Sequence, residues 1–294
     1  MPVDASPSEA EPTESETTFA GLDALDLAPA PSIGRGRRAW SATWPKVAAL
    51  GIALLAWQVV CWTHWKKPYQ LPPPSKVLPV LREKFADGTL AEAVRITMGR
   101  AAFGFGIALI IGVLLGAAVA RSQVLRSAVG SFITGLQTMP SVAWFPLAIL
   151  LFGIGEQTIT FVVVMGAAPS IANGLINGVD NVPPLLLRAG RVLGAKGLAG
   201  WRHVILPAAF PSFLGGLKQG WAFSWRSLLA GELLVQVRGM HSVGFLLENA
   251  RAVNDAEGVL AAMIVILAIG IVIDMVFFAG AERWVKKRWG LSQG

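Results

Sequence analysis

The stretch LLRAGRVLGAKGLAGWRHVILP, Leu186–Pro207, carries Arg188, Arg191, Lys196 and Arg202 without one acid, and it lies between two long apolar runs. A basic, glycine-bearing interruption in such a chain has three readings. It marks membrane topology, it cradles a phosphate, or it docks another protein. The sequence on either side narrows the choice.

Of 294 residues 54% are hydrophobic and 15% charged. The apolar residues fall in runs rather than at amphipathic spacing, the signature of a membrane protein. The net charge of +7 does not point to nucleic acid, because the basic residues stand at the ends of apolar runs, where the positive-inside rule places them. Cys61 is the single cysteine, which excludes an internal disulfide, a Cys/His zinc pattern and a CxxC pair. Residues 1–34 hold seven acids from Asp4 to Asp26 and no basic residue before Arg35. They read as a disordered acidic tail with too little apolar surface to offset chain entropy, and the basic n-region of a secretory signal is absent.

A spanning helix needs about 20 mostly apolar residues, and six segments approach this. They run from about Val47 to Trp62, Arg95 to Ala120, Ser127 to Gly155, Gln157 to Val179, Leu206 to Leu234 and Gly258 to Ala281. Pro140 and Pro146 should bend the third, and Gly112 and Gly116 form a GxxxG in the second that admits a close neighbour. Between the first two, Leu71-Pro-Pro-Pro74 must be extended, and Val77 to Phe85 reads as an amphipathic interfacial helix. Basic residues cluster in the segment before the first span, at Arg121 and Arg126, in the opening stretch and from Arg283 to Arg288. Six spans with both termini cytoplasmic satisfy that distribution. Lys66, Lys67, Lys76, Arg82 and Lys84 in the first outer loop run against it.

The phosphate reading fails on residue types. Gly190-Arg-Val-Leu-Gly-Ala-Lys-Gly197 has Ala195 where a P-loop needs its second glycine, and Gly197 where Ser or Thr must reach Mg²⁺. HExxH and GxSxG are also absent, and His64, His203 and His241 lie far apart in sequence, so no catalytic residues and no metal ligands are assigned. Two readings remain: an ordinary basic loop obeying the positive-inside rule, which composition alone favours, and docking, with Leu187, Val192, Leu193, Leu198 and Trp201 as apolar anchors of a short helix.

The spacing of this segment resembles the EAA loop of binding-protein-dependent ABC importer permeases. Arg188-Ala-Gly-Arg-Val-Leu-Gly194, nine residues and Val204-Ile-Leu-Pro207 follow the pattern E-A-A, three residues, G, nine residues, I-x-L-P. Ala189, Gly194, Leu206 and Pro207 match it, Val204 stands for Ile, Arg188 replaces the Glu and Gly190 replaces the second Ala. Thr97–Gly104, Met139–Leu147, Phe152–Gly155 and Gly220–Glu232 extend the likeness toward the branch serving nitrate, sulfonates and taurine. The resemblance implies an all-α membrane protein of the type I importer (MetI-like) architecture. Its parts would be the tail 1–34, a first helix and outer loop over 35–93, the permease domain 94–282 with coupling loop 183–207, and a basic tail 283–294. It further implies two ABC ATPase subunits that use ATP and Mg, an extracytoplasmic solute-binding protein and a second permease copy as a homodimer in the plasma membrane. This chain would bind no cofactor itself.

Three charged residues at membrane depth are candidates for the translocation path: Arg226, Glu232 and Arg100. An ionisable group there is costly and faces protein or water. Arg226 either attracts an oxyanion from the path or pairs structurally with Glu232 or another acid. Arg100 either lines the path or snorkels to the outer headgroups. Asp274 is expected to pair with a basic residue. A secondary transporter, which would carry paired broken helices, and a membrane receptor or scaffold are the competing classes.

Overall fold

The computed structural model describes residues 35–237 and 239–289. The acidic tail 1–34 and the last five residues of the basic tail lie outside them. Among the described residues the regular structure is entirely helical. Helix α1, Arg35–Trp62, lies mostly in a unit that ends at Val59, and its apolar part is the shorter stretch Val47–Trp62.

From Val60 the chain forms a second unit. Prolines 72–74 hold the chain extended into α2, Pro74–Ala86, with Pro73 at φ −70° and ψ 159°. The amphipathic helix expected at 77–85 is this one. Then follow α3, Thr89–Arg121, α4, Gln123–Thr138, a 3₁₀ turn at Ser141–Trp144 and α5, Phe145–Phe152. Helix α6, Glu156–Asp180, leads to α7, Pro184–Val192, the single turn α8, Gly197–Gly200, and a π-helical turn at Trp201–Ile205. The chain returns through α9, Leu206–Leu234, and then α10, Val243–Ala252. It ends in α11, Ala256–Ile273, a π turn at Asp274–Phe278 and α12, Ala279–Arg288.

Among the described residues three helical stretches are long and apolar enough to cross a membrane: Thr89–Arg121, Glu156–Asp180 and Ala256–Val285. The third expected span, Ser127–Gly155, is bent at Pro140, and sharply. Pro140 stops α4, and α4 and the segment Ser141–Phe152 meet at 105°, so the two count as a fourth crossing only if taken together. Helix α9 has the expected limits, but Lys218, Arg226 and Glu232 interrupt its apolar run, and α1 is short. The structure thus supports three or four of the six expected spans by length and composition.

Helix α6 is the axis of this unit, because α3 and α9 both pack along it. Among lipid tails there is little hydrophobic drive to bring helices together, so contact rests on close van der Waals fit between small residues. A Cβ on Gly174 would sit 2.4 Å from Gly216 Cα, and one on Gly178 would sit 2.7 Å from the Ala209 carbonyl oxygen, both on α9. On the other flank, Cβ atoms on Gly112 and Gly116 of α3 would meet the Ala168 and Ala172 carbonyl oxygens at 2.8 and 2.9 Å. The GxxxG read in the sequence is therefore a packing face against α6. Branched residues between these contacts fill the seam, with Val162, Val163 and Ile171 of α6 and Leu228 of α9 fully buried.

Gly174→Ala forces the α6 and α9 backbones apart, and overpacking of this kind costs about 1–3 kcal/mol. Gly215, exposed on the same α9 helix, has open space at its Cβ position. The expected result in thermal melts of detergent-purified protein is a clear loss for Gly174→Ala, with Gly215→Ala neutral or slightly stabilising.

Candidate coupling loop and buried charge cluster

At the end of α6 where it begins, four segments converge on charges. Glu232, near the end of α9, is buried with its carboxylate inaccessible. Arg100 of α3 donates Nη1 to Glu232 Oε1 at 3.0 Å, and its Nε donates to Glu156 Oε2 at 2.9 Å. Its Nη2 donates to Glu156 Oε1, so the fork grips Glu156 at the head of α6 with two nitrogens. Thr97, one turn earlier on α3, donates its hydroxyl to Glu232 at 3.0 Å and accepts the Val243 N–H at 3.0 Å. The Gly244 N–H donates to Glu232 Oε2 at 3.0 Å. A Cβ on Gly244 would lie 2.4 Å from Glu232 Cβ, so only glycine lets the start of α10 approach the carboxylate. Glu232 is thus satisfied by one cation, one hydroxyl and one backbone amide, as a buried charge must be.

At the opposite end of α6 lies the basic stretch. Two prolines start α7, the first helical positions being where proline costs least. The helix ends in a Schellman motif: Ala195 N donates to Gly190 O at 2.8 Å, Gly194 N donates to Arg191 O at 3.1 Å, and Gly194 takes φ +83°. That left-handed conformation is the physical reason for a glycine at this register position. Gly190 is buried, and a Cβ there would meet Val204 Cγ2 at 2.8 Å. The two motif positions therefore pack on each other, α7 folding back over the π turn. A hollow of about 380 Å³ lined in part by Leu187, Trp201 and Ile205 lies inside this fold.

The segment is thus not one docking helix, because Gly194 and Gly197, at φ +83° and +55°, break it into two helices and a π turn. Of the five anchors read from sequence, Val192, Leu193 and Leu198 are exposed at 86%, 85% and 75%. Leu187 and Trp201 are half-buried and line the inside of the loop. Arg188, Arg191, Lys196 and Arg202 are all exposed. Ala189 and Pro207 are exposed, Leu206 is 43% exposed and Val204 is half-buried.

The charged candidates rearrange. Arg100 does not snorkel: its side chain is 10% exposed and it holds two carboxylates. Arg226 is not the partner of Glu232. It is exposed, donates Nε to the Ala222 carbonyl of its own helix at 3.2 Å and lies over the Phe223 ring at 4.7 Å. Asp274 pairs with Lys218 at 2.8 Å, and the same ammonium reaches Glu282 at 3.3 Å. Glu156 and Thr97 were not singled out from sequence. Glu156 could have been, as an acid opening an apolar run directly after Gly155.

Residues 108–287 match the model of the binding-protein-dependent transport system inner membrane component family. The chain belongs to this family. A protein of Methanocaldococcus jannaschii named as an ABC transporter permease, MJ0413, is 31% identical over 78% of this chain and 86% of its own. The taurine transport system permease protein TauC of Escherichia coli is 29% identical, covering 78% and 84%, and the nitrate import permease protein NrtB of Synechocystis sp. is 28% identical, covering 82% and 90%. The methionine ABC transporter MetNI, solved in inward-facing conformations, has a chain of TM-score 0.58 and 19% identity, covering 67% of this permease and 95% of that chain. That likeness is one of fold.

Removing one partner of a buried ion pair strands the other, at a cost of about 3–5 kcal/mol. Arg100→Met alone should therefore lower the melting temperature of the purified permease strongly. Arg100→Met with Glu232→Gln, which keeps acceptors for Thr97 and Gly244 and leaves only the partly exposed Glu156 charged, should recover most of the loss. Purely additive losses in this double-mutant cycle would show that the two side chains are not coupled.

Proposed function

We propose that this permease forms the translocation path of an ATP-driven importer for a small anionic solute of the sulfonate, taurine or nitrate class, and that it engages a separate ATPase through the loop 183–207. The observation that carries the coupling role is the loop surface itself. Val192, Leu193 and Leu198 stand exposed beside four cations, on a backbone held by a Schellman motif. Large apolar side chains exposed on an ordered, charged loop suit the groove of a partner protein. The solute class is supported by the named substrates of the taurine and nitrate relatives.

In this reading two ATPase subunits consume ATP with Mg, an extracytoplasmic binding protein delivers the solute, and two copies of this chain line the path. The chain sits in the plasma membrane as a multi-pass protein with both termini cytoplasmic. The loop then faces the cytoplasm and the Arg100 cluster the outer side. Closure of the ATPases moves the loops and rocks the helices between inward-open and outward-open states. Arg226, exposed on α9 and without a carboxylate contact among the described residues, supplies a guanidinium fork to an oxyanion on the path.

The test is reconstitution of the permease with its cognate ATPase and binding protein in proteoliposomes. ATP-dependent uptake of taurine or nitrate is expected, and uptake that proceeds without the ATPase would overturn the reading. Val192→Asp with Leu193→Asp should reduce ATPase co-purification at least about tenfold, equivalent to about 1.4 kcal/mol. Arg226→Gln should leave co-purification intact and lower anion uptake; undiminished uptake removes Arg226 from the path.

A further inference from the structure

The join between the loop and α9 holds two prolines four residues apart, Pro207 and Pro211. In an α-helix the N–H at position 211 would engage the carbonyl at position 207, but proline has none, and its ring crowds that same carbonyl. Pro207 removes the equivalent bond one turn earlier. There the chain takes a π turn, closed by Leu206 N donating to Trp201 O. The chain therefore leaves the loop through two weakened turns, and the Pro207 carbonyl lacks its i+4 backbone donor.

A side-chain donor comes from the far end of the chain. Trp289 Nε1 donates to the Pro207 carbonyl at 3.0 Å. Its ring stacks on Phe210, between the two prolines, with centroids 5.9 Å apart and planes at 20°. Trp284 meets both rings edge-on, at 6.4 Å from Phe210 and 5.9 Å from Trp289. Val285 of α12 is buried, and Lys218 ties α9 to Glu282 of α12 at 3.3 Å. Ring packing on Phe210 and Trp284 thus holds the indole, and the Lys218–Glu282 pair holds α12 to α9.

We propose that Trp289 is a positioning residue for transport. Its N–H pins the Pro207 carbonyl and fixes the angle at which the loop meets α9. Displacement of the loop then reaches α9 as a rigid movement instead of being absorbed at the double-proline join. This rests on the coupling role assigned to the loop above.

Trp289→Phe keeps an aromatic ring on Phe210 and removes the donor. In proteoliposomes holding the complete importer, ATPase association and hydrolysis should persist while solute moved per ATP falls several-fold. Pro211→Ala supplies a backbone N–H to the Pro207 carbonyl, so Trp289→Phe in that background should recover most of the ratio. An unchanged ratio in Trp289→Phe, or an equal deficit with and without Pro211→Ala, overturns the proposal. So does a Trp289→Phe protein whose only change is a lower melting temperature. An unaltered permease that binds no ATPase overturns the loop's coupling role as well, whereas normal coupling beside an indifferent Trp289→Phe overturns this inference alone.

Discussion

Helix α6 sits between α3 and α9 with no room for a side chain at its closest contacts. Gly174 and Gly216 back onto each other, Gly178 faces the Ala209 backbone, and Gly112 and Gly116 face the carbonyls of Ala168 and Ala172. In a medium as apolar as the side chains, the gain from contact is dispersion, which falls steeply with separation. Three helices at this spacing make many such contacts, and a single added methyl in the seam would forfeit several of them. Without that spacing neither end of α6 would be held in place.

The two chemically distinctive regions of the chain are the two ends of this helix. At 1.5 Å per residue, the 25 residues of α6 separate them by about 37 Å. Glu156 at its head shares Arg100 with Glu232, which joins α3, α6 and α9 where the packing seam ends. Thr97 and Gly244 add α10 to the same carboxylate. At the foot of α6, Asp180 pairs with Arg126 of α4 at 2.6 Å, three residues before the prolines that start the loop. Ion pairs at both ends and close packing along its length hold α6 between α3 and α9, although Pro169 interrupts its hydrogen-bond ladder.

How much of this could be read from residues differs by feature. The charge-free runs gave α3, α6 and α11 because backbone groups in lipid must be satisfied within the segment. The likeness of the Gly194-to-Pro207 register to the EAA pattern located the loop, and the structure supplies a physical reason for its glycine, a left-handed helix end. Pro140 announced a bend but not its 105°, because proline removes a bond without fixing the direction the chain takes next. A pair between Arg226 and Glu232 was one of the alternatives open from sequence, and Arg100 holds that carboxylate instead. Arg226 is six residues away on the same helix, whereas Arg100 is 132 residues away, and only the packing of α3 on α6 brings it near. Trp289 on the Pro207 carbonyl, 82 residues distant, was hidden for the same reason.

The charge at position 188 bears on what shaped the loop. Helix α7 has no acid in its first turn, and Arg191 in its last turn already complements the helix dipole. Arg188, in the middle of a nine-residue helix, contributes little to that term, and it is exposed and makes no hydrogen bond or ion pair among the described residues. Stability of α7 therefore does not account for a cation there. On the coupling role proposed for the loop, its counterpart lies on the partner surface that the exposed face of α7 would meet. Because Val192 and Leu193 share the exposed loop with it, a surface that fits this face is apolar in part as well as negative in part. A lipid headgroup layer alone offers the negative charge without a fixed apolar recess at the same depth, whereas a protein groove can present both at one spacing.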